Sequence, residues 1–215
     1  MKFKNEREKI VEVGKKLESE SLTVGTGGNI SYYFKEEDLM AITPSGIGYS
    51  QIKPEDIAIM NMEGEKVDGD KKPSSELLMH LEIYKKREDI KSVIHTHSLY
   101  STTISCLNEE IPSIQYMIAV AGGDKIPTAD YERYGTRALA EAVVESMGEK
   151  YSATLMNNHG LIAGGSGLWD TYKIIETVEF IAELYYRSNS IGEPQVLDGE
   201  KMKNVHDAFE NYGQQ

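Results

Sequence analysis

The chain has 215 residues, a formal net charge of −12 and a pI near 4.9. This acidic balance argues against nucleic acid or an anionic membrane surface as the main partner, and the single cysteine, Cys106, excludes an internal disulfide. Because the sequence shows neither a long apolar run nor a secretory leader, we expect one domain over residues 1–215, located in the cytoplasm.

The first half of the chain predicts one helix, a run of short strands and then a second helix. Apolar residues at helical spacing predict an amphipathic helix over residues 3–20. Strands are predicted over 29–34, 39–42 and 57–60, because each apolar run is bounded by Gly, Pro or charged turn residues. The next helix is predicted over about 73–87, with a serine as its N-cap.

The second half predicts further strands and helices in alternation. Strands are expected over 93–97 and 153–156, and the turn after the second leads into the apolar residues 161–163. Helices are expected over 98–107, 135–147 and 169–188. With no repeat or linker in the sequence, these elements predict an α/β fold of three layers, α/β/α, in which helices cover both faces of a central, mainly antiparallel sheet.

Two histidines, His95 and His97, stand one residue apart in a predicted strand. Side chains two apart in a strand point to the same face, so both imidazoles could bind one divalent ion. A third histidine, His159, follows a later buried strand in the turn Asn157-Asn158-His159-Gly160. Three neutral imidazoles leave one zinc coordination position open, which is typical of a catalytic zinc site. The alternative for each is a hydrogen-bonded core histidine.

The remaining histidines, His80 and His206, fit a metal site less well. His80 lies in a helical pattern, and His206 lies in a charged C-terminal stretch. We therefore expect solvated or capping roles for both.

Three polar loops precede the histidine pair, and each could contact a phosphate. Backbone amides and hydroxyls at loops and helix starts bind anions locally, even on an acidic protein. Taken alone, each loop is more often a structural turn or a helix cap. The three loops are Thr26-Gly27-Gly28-Asn29, Thr43-Pro44-Ser45-Gly46 and the pair Ser74-Ser75.

Glu76 follows the serine pair and is the carboxylate that we expect at the site. Beside a metal it could act as general acid and base, or as a fourth ligand that substrate displaces. The alternative is a first-turn glutamate that interacts favourably with the helix dipole.

Taken together and in this order, these motifs resemble the class II aldolase/adducin family over essentially the whole chain. The motifs are G-T-G-G-N, T-P-S-G, P-S-S-E, H-T-H, Q-Y-M-I-A-V-A-G-G, Y-G-T-R and N-N-H-G. The resemblance implies a zinc ion held by His95, His97 and His159, with Glu76 beside it as proton donor and acceptor. It also implies that the substrate phosphate binds at six residues of the loops, which are Gly28, Asn29, Ser45, Gly46, Ser74 and Ser75.

The resemblance extends to residues beyond the metal and the loops. Tyr116 is expected to reach the site of a neighbouring subunit as proton donor to the aldehyde oxygen, which implies a homotetramer with active sites at subunit interfaces. Tyr134 stands where the family often has phenylalanine. Phe209 and Tyr212 resemble a mobile C-terminal tail, from about residue 200, that closes over the site.

The activity implied is zinc-dependent, reversible aldol cleavage of L-fuculose 1-phosphate to dihydroxyacetone phosphate and L-lactaldehyde. The enzymatic alternatives are an L-ribulose-5-phosphate 4-epimerase and a related sugar-phosphate lyase such as a dehydratase. The non-enzymatic alternative is an adducin-like scaffold that keeps the fold without the chemistry.

Overall fold

The computed structural model describes residues 1–210, so Tyr212 of the predicted tail lies outside the described residues. Within them the α-helices are α1 (Lys4–Ser19), α2 (Leu77–Lys86), α3 (Leu99–Ser105), α4 (Arg137–Met147), α5 (Leu168–Ile191) and α6 (Gly199–Glu210). Short 3-10 helices span Pro54–Asp56 and Tyr116–Ala121. The strands are β1 (Asn29–Phe34), β2 (Leu39–Ile42), β3 (Ala58–Asn61), β4 (Lys66–Asp68), β5 (Ser92–Thr96), β6 (Ile111–Pro112), β7 (Lys125–Ile126), β8 (Thr128–Ala129), β9 (Ala153–Met156) and β10 (Gly160–Gly165).

Eight strands form one sheet in the order β4-β3-β2-β1-β5-β10-β9-β8, and β6 pairs with β7 apart from it. Neighbouring strands of the large sheet run antiparallel except β8 and β9, which are parallel. The central strand β5 places His95 opposite Asn29 on β1 and opposite Ile162 on β10. This register brings the loops before and after the neighbouring strands to the end of β5 where the histidines lie.

Helices cover both faces of the sheet, which confirms the predicted three-layer fold. One apolar cluster joins the sheet to α2 and α4, and a second joins it to α1, α3 and α5. Along β5, Val93 belongs to the first cluster and Ile94 to the second, because successive strand residues face opposite sides. Within residues 1–210, no helix combines the length and the apolar character needed to cross a membrane.

The predicted elements are found with bounds shifted by a few residues, and one predicted cap is wrong. Glu76, rather than a serine, is the residue that precedes α2, and Ser74 Oγ instead accepts a hydrogen bond from the Glu76 backbone N–H at 3.2 Å. Ser74 therefore stabilises the turn that precedes α2 and does not cap the helix itself. Sequence patterns missed α6, which lies in the predicted C-terminal tail. They also missed the short strands β4, β6, β7 and β8, because strands of two or three residues are too short for a periodic signal.

A carboxylate from α5 holds the start of α3, directly after the histidine pair. Glu179 accepts hydrogen bonds from the Ser98 hydroxyl at 2.7 Å, from the Tyr100 backbone N–H at 2.7 Å, and from the Ser101 N–H and hydroxyl at 2.9 and 2.7 Å. These bonds satisfy N–H groups that have no partner inside the helix. Glu179 therefore anchors the segment that follows His97.

We expect Glu179→Ala to lower the free energy of unfolding by about 2 kcal/mol, because several buried donors lose their acceptor. Glu183→Ala is the matched control on the same helix, since Glu183 pairs with the exposed Arg187, and should cost less than about 0.5 kcal/mol. Urea unfolding of both variants measures the difference. Equal losses would show that Glu179 does not anchor α3.

Candidate active site and metal centre

Three imidazoles converge where β5 ends and β10 begins. The side-chain nitrogens of His95, His97 and His159 all lie within 4.8 Å of one another. His95 donates from Nδ1 to the backbone carbonyl of Leu161 at 2.8 Å, because a carbonyl can only accept. Its Nε2 therefore carries a lone pair toward the cluster, where it lies 3.0 Å from His97 Nε2.

The Glu76 carboxylate closes the cluster from the start of α2. Its Oε1 lies 3.1 Å from His159 Nε2, and its Oε2 lies 3.4 Å from His95 Nε2. The side chain is almost fully buried, and within residues 1–210 Oε1 has no aligned hydrogen-bond donor. Three nitrogen donors and a buried, unpartnered carboxylate oxygen at one point are the ligand set that a divalent metal requires.

The protonation states also suit a metal. Burial raises the pKa of Glu76, but the neighbouring His95 and His159 imidazoles and the Asn29 amide outweigh it and hold that pKa well below its usual range. Burial lowers the pKa of His95 to about 3 against the opposing effect of Glu76, and burial also lowers the pKa of His97. At neutral pH the carboxylate is ionised and these imidazoles are neutral, which is the form in which they bind metal.

The cavity in front of the histidines is bordered by all three loops predicted for phosphate. Besides Glu76, His97 and His159, the predicted residues on its wall are Gly28, Asn29, Ser45, Gly46, Ser74, Ser75 and Tyr134. Gly28 has a φ of 77°, and a Cβ at this position would lie 2.5 Å from the carbonyl oxygen of His95. Only glycine lets this loop approach β5 so closely.

Sequence reasoning missed several residues on the same wall. Tyr131 and Glu132 border the cavity beside Tyr134, in the segment between β8 and α4, and Asn158 borders it beside His159. Tyr134 is 62% exposed, so this side of the cavity is open. The segment lacks a periodic pattern, and no motif marked it apart from Y-G-T-R.

Tyr116 and Phe209 lie outside the cavity in front of the histidines. Both border a second, apolar pocket between the 3-10 helix Tyr116–Ala121 and α6, where their ring centroids are 6.2 Å apart. Tyr116 is 51% exposed and, among the described residues, is not on the wall of its own chain's histidine cavity. Closure of the C-terminal segment over a site stays a prediction.

The expectation of a solvated or capping His80 is wrong. This side chain is fully buried on the inner face of α2, where it contacts the Asn29 side-chain oxygen through Nε2 and the Ser31 hydroxyl through Nδ1. Asn29 in turn donates to Glu76 Oε2 at 2.8 Å. Although Asn29 borders the cavity, its amide is therefore engaged with the carboxylate and with His80.

Comparison with known proteins identifies the family. The model of the Class II Aldolase and Adducin N-terminal domain matches residues 8–186. The chain belongs to this family. It is 49% identical over 215 residues to the 5-deoxy-D-ribulose 1-phosphate aldolase of Bacillus thuringiensis serovar kurstaki, covering all of both chains. It is 39% identical over 193 residues to the L-fuculose phosphate aldolase of Escherichia coli K12, covering 89% of this chain and 88% of the relative.

A solved L-fuculose 1-phosphate aldolase superposes on this chain with a TM-score of 0.94 and 42% identity, covering 98% of each chain. The fold and the enzymatic interpretation are thereby confirmed: the protein is a class II aldolase. Enzymes of this class depend on a metal, and the cluster of His95, His97 and His159 is where this chain can hold one.

Burial makes His80 a source of pH-dependent stability. Burial lowers its pKa from 6.5 to about 4, with partial opposition from Glu76. Between these values the unfolded chain binds a proton that the folded chain does not, so the free energy of unfolding falls as the pH falls. For one residue this amounts to about 3 kcal/mol at pH 4.

We therefore expect the stability advantage of the wild type over His80→Gln to shrink by about 3 kcal/mol between pH 7 and pH 4. Urea unfolding of the metal-free proteins across this range measures it, and the contributions of His95 and His97 cancel because both proteins contain them. Parallel pH curves would contradict a neutral, buried His80.

Proposed function

We propose that this protein catalyses reversible aldol cleavage of a ketose 1-phosphate to dihydroxyacetone phosphate and a short aldehyde. The observation that carries the proposal is the convergence of three imidazoles and Glu76 in one cavity whose walls are loops rich in amides and hydroxyls. Such loops suit a phosphate. The histidine cluster suits the metal on which the carbon–carbon bond cleavage depends.

We propose zinc as the metal, held by His95, His97 and His159. Imidazole nitrogens are common zinc ligands, and three of them leave room for substrate. When bound, the ion supplies Lewis acidity that stabilises negative charge on the ketose oxygens.

The chain's own residues perform the remaining steps. In the synthetic direction, the ionised Glu76 carboxylate takes the proton from C3 of dihydroxyacetone phosphate, and the electron pair of that C–H bond forms the new bond to the aldehyde carbon. The Tyr116 hydroxyl of a neighbouring subunit donates its proton to the aldehyde oxygen. Cleavage reverses each transfer. The loops around Gly28, Ser45 and Ser74 hold the phosphate, so that C3 faces Glu76.

The proposed role of Tyr116 implies that the protein is an oligomer. Tyr116 is half exposed and lies outside its own chain's cavity, so its proposed role requires a second copy of the chain. We propose the homotetramer implied by the family, with active sites at subunit interfaces.

Two relatives define the candidate substrates. We place 5-deoxy-D-ribulose 1-phosphate first, because the relative named for it matches all 215 residues at 49% identity. L-Fuculose 1-phosphate is the second candidate, supported by the relative at 39% identity and by the superposed structure. Both would give the same phosphorylated fragment, and the aldehydes, acetaldehyde and L-lactaldehyde, differ by one hydroxylated carbon. Tyr131, Glu132 and Tyr134 line the open side of the cavity, where that fragment would lie.

We expect the purified, zinc-loaded protein to release dihydroxyacetone phosphate from both substrates, with kcat/KM about tenfold higher for 5-deoxy-D-ribulose 1-phosphate, since a pocket discriminates between substrates that differ by one carbon group by about 1–3 kcal/mol. A coupled assay for dihydroxyacetone phosphate measures it, and a chelator followed by zinc tests metal dependence. Faster cleavage of L-fuculose 1-phosphate would reverse the order. Zinc binding with epimerisation of L-ribulose 5-phosphate, or without any turnover, would overturn the proposal.

We expect Glu76→Gln to retain zinc, because the three histidines remain, while kcat falls by about 100- to 10,000-fold through loss of the proton acceptor. Metal analysis and steady-state kinetics measure the two effects separately. Glu82→Gln is the control, because Glu82 lies on the same helix but pairs with Lys85 and Arg137. Normal turnover by Glu76→Gln would remove this residue from the mechanism.

A further inference from the structure

A continuous line of buried polar side chains runs behind Glu76, between β1 and α2. Asn29 donates to Glu76 Oε2 at 2.8 Å, and the Asn29 oxygen lies 2.5 Å from His80 Nε2. Ser31 Oγ lies 2.6 Å from His80 Nδ1 and 2.6 Å from the Tyr84 hydroxyl. We call these four side chains, Asn29, His80, Ser31 and Tyr84, the relay.

The spacing along each element explains why the relay forms. Asn29 and Ser31 are two apart on β1 and therefore share a face of the sheet. His80 and Tyr84 are four apart on α2 and share a face of the helix, in line with Glu76 one turn earlier. Side chains from the strand and the helix alternate, so that each one contacts the next.

The acceptor at one end determines the direction of every hydrogen bond. An ionised carboxylate only accepts, so Asn29 must present its NH2 group to Glu76 and its oxygen to His80. His80 must then donate from Nε2, which leaves Nδ1 of the neutral ring to accept from the Ser31 hydroxyl. Ser31 Oγ in turn accepts from the Tyr84 hydroxyl. The relay is thus polarised from Tyr84 toward Glu76, with one arrangement of donors and acceptors that satisfies every contact.

Burying these four polar side chains costs free energy that packing alone does not offset. The side chains of Asn29, Ser31 and His80 are at most 2% exposed, and Tyr84 is 4% exposed. They interrupt an apolar cluster that includes Met79, Ile83 and Val93 on the same face of the sheet. Polar groups at such positions must be satisfied completely, and apolar residues would fill the space at no such cost. The relay therefore contributes something other than packing.

We propose that His80, Ser31 and Tyr84 are positioning residues that act through Asn29 to hold the Glu76 carboxylate in the orientation needed for proton transfer. The proposal rests on the proposed role of Glu76 in the aldol reaction. None of the three residues borders the cavity, within the part of the chain that the structure describes. Their effect must therefore pass through the Asn29 amide.

The Asn29 amide is the point at which orientation would be lost. Without a donor at His80 Nε2, the amide oxygen has no buried partner, and the amide can rotate to present that oxygen to the carboxylate. Two acceptors would then face each other, and Glu76 would move away. With His80 in place, Oε2 stays bound to Asn29 and Oε1 remains for the proton transfer.

The test compares variants that keep or remove the donor to Asn29. His80→Leu removes it, whereas a glutamine amide at this position can still donate to Asn29. With His80→Leu we expect kcat for ketose 1-phosphate cleavage to fall about 10- to 100-fold with little change in KM, as when a group that orients a catalytic side chain is lost. We expect His80→Gln to recover most of that loss. Ser31→Ala and Tyr84→Phe should show progressively smaller losses, because they lie further from Glu76.

Tyr172→Phe is the matched control for Tyr84→Phe. It removes another buried tyrosine hydroxyl, bonded to Glu20 and lying on the opposite face of the sheet. Both variants should lower the melting temperature to a similar extent, but only Tyr84→Phe should lower kcat. If kcat in the relay variants followed the melting temperature instead of distance from Glu76, or if His80→Leu kept full kcat, the proposal would be overturned.

Crystal structures of the metal-free wild type, His80→Leu and His80→Gln provide a readout that does not depend on activity. We expect the Glu76 carboxylate and the Asn29 amide to move in His80→Leu and to keep their places in His80→Gln. Unmoved groups in His80→Leu would overturn the positioning role whatever the substrate is. If His80→Leu does not fold, Ser31→Ala is compared in the same way. Failure of the wild type to cleave any ketose 1-phosphate, with the carboxylate displaced as expected, would refute the proposed function and leave the positioning intact.

Discussion

The convergence of Glu76 with three imidazoles is the interaction on which the rest of this structure depends. It requires β1, β5 and β10 to be adjacent. Asn29 lies on β1, His95 lies on β5, and His159 directly precedes β10. It also requires α2 to begin beside the end of β5, so that Glu76 reaches the rings from the helix start. The strand order and the position of α2 together bring the Glu76 carboxylate to the three imidazoles.

The acidic net charge of the chain opposes the binding of a phosphorylated substrate at this site. A protein with a net charge of −12 repels a phosphorylated substrate at long range. We propose that the cavity compensates with short-range groups: the glycine-rich backbone at Gly28 and Gly46, and the serine pair just before α2, near the positive end of the helix dipole. A cation held by His95, His97 and His159 would add positive charge at the same place.

The two faces of the sheet bury different polar groups. The face covered by α1, α3 and α5 is mainly apolar, with Arg7 buried on α1 and Glu179 holding the start of α3. The face covered by α2 and α4 combines an apolar cluster with the polar relay behind Glu76. The inner face of α2 thus carries core residues and, at His80 and Tyr84, two members of the relay.

The sequence by itself determined the three-layer fold and the family, because period-two and helical apolar patterns, and motifs such as His95-Thr96-His97, are local properties of the chain. It also indicated the three loops of the cavity wall. Only the tertiary structure decided that Asn29 faces Glu76 and that His80 is buried, because those contacts join residues about fifty positions apart. It likewise separated Tyr116 from its own chain's cavity. Local patterns specify which elements form, whereas the partner of a buried polar group depends on which elements pack together.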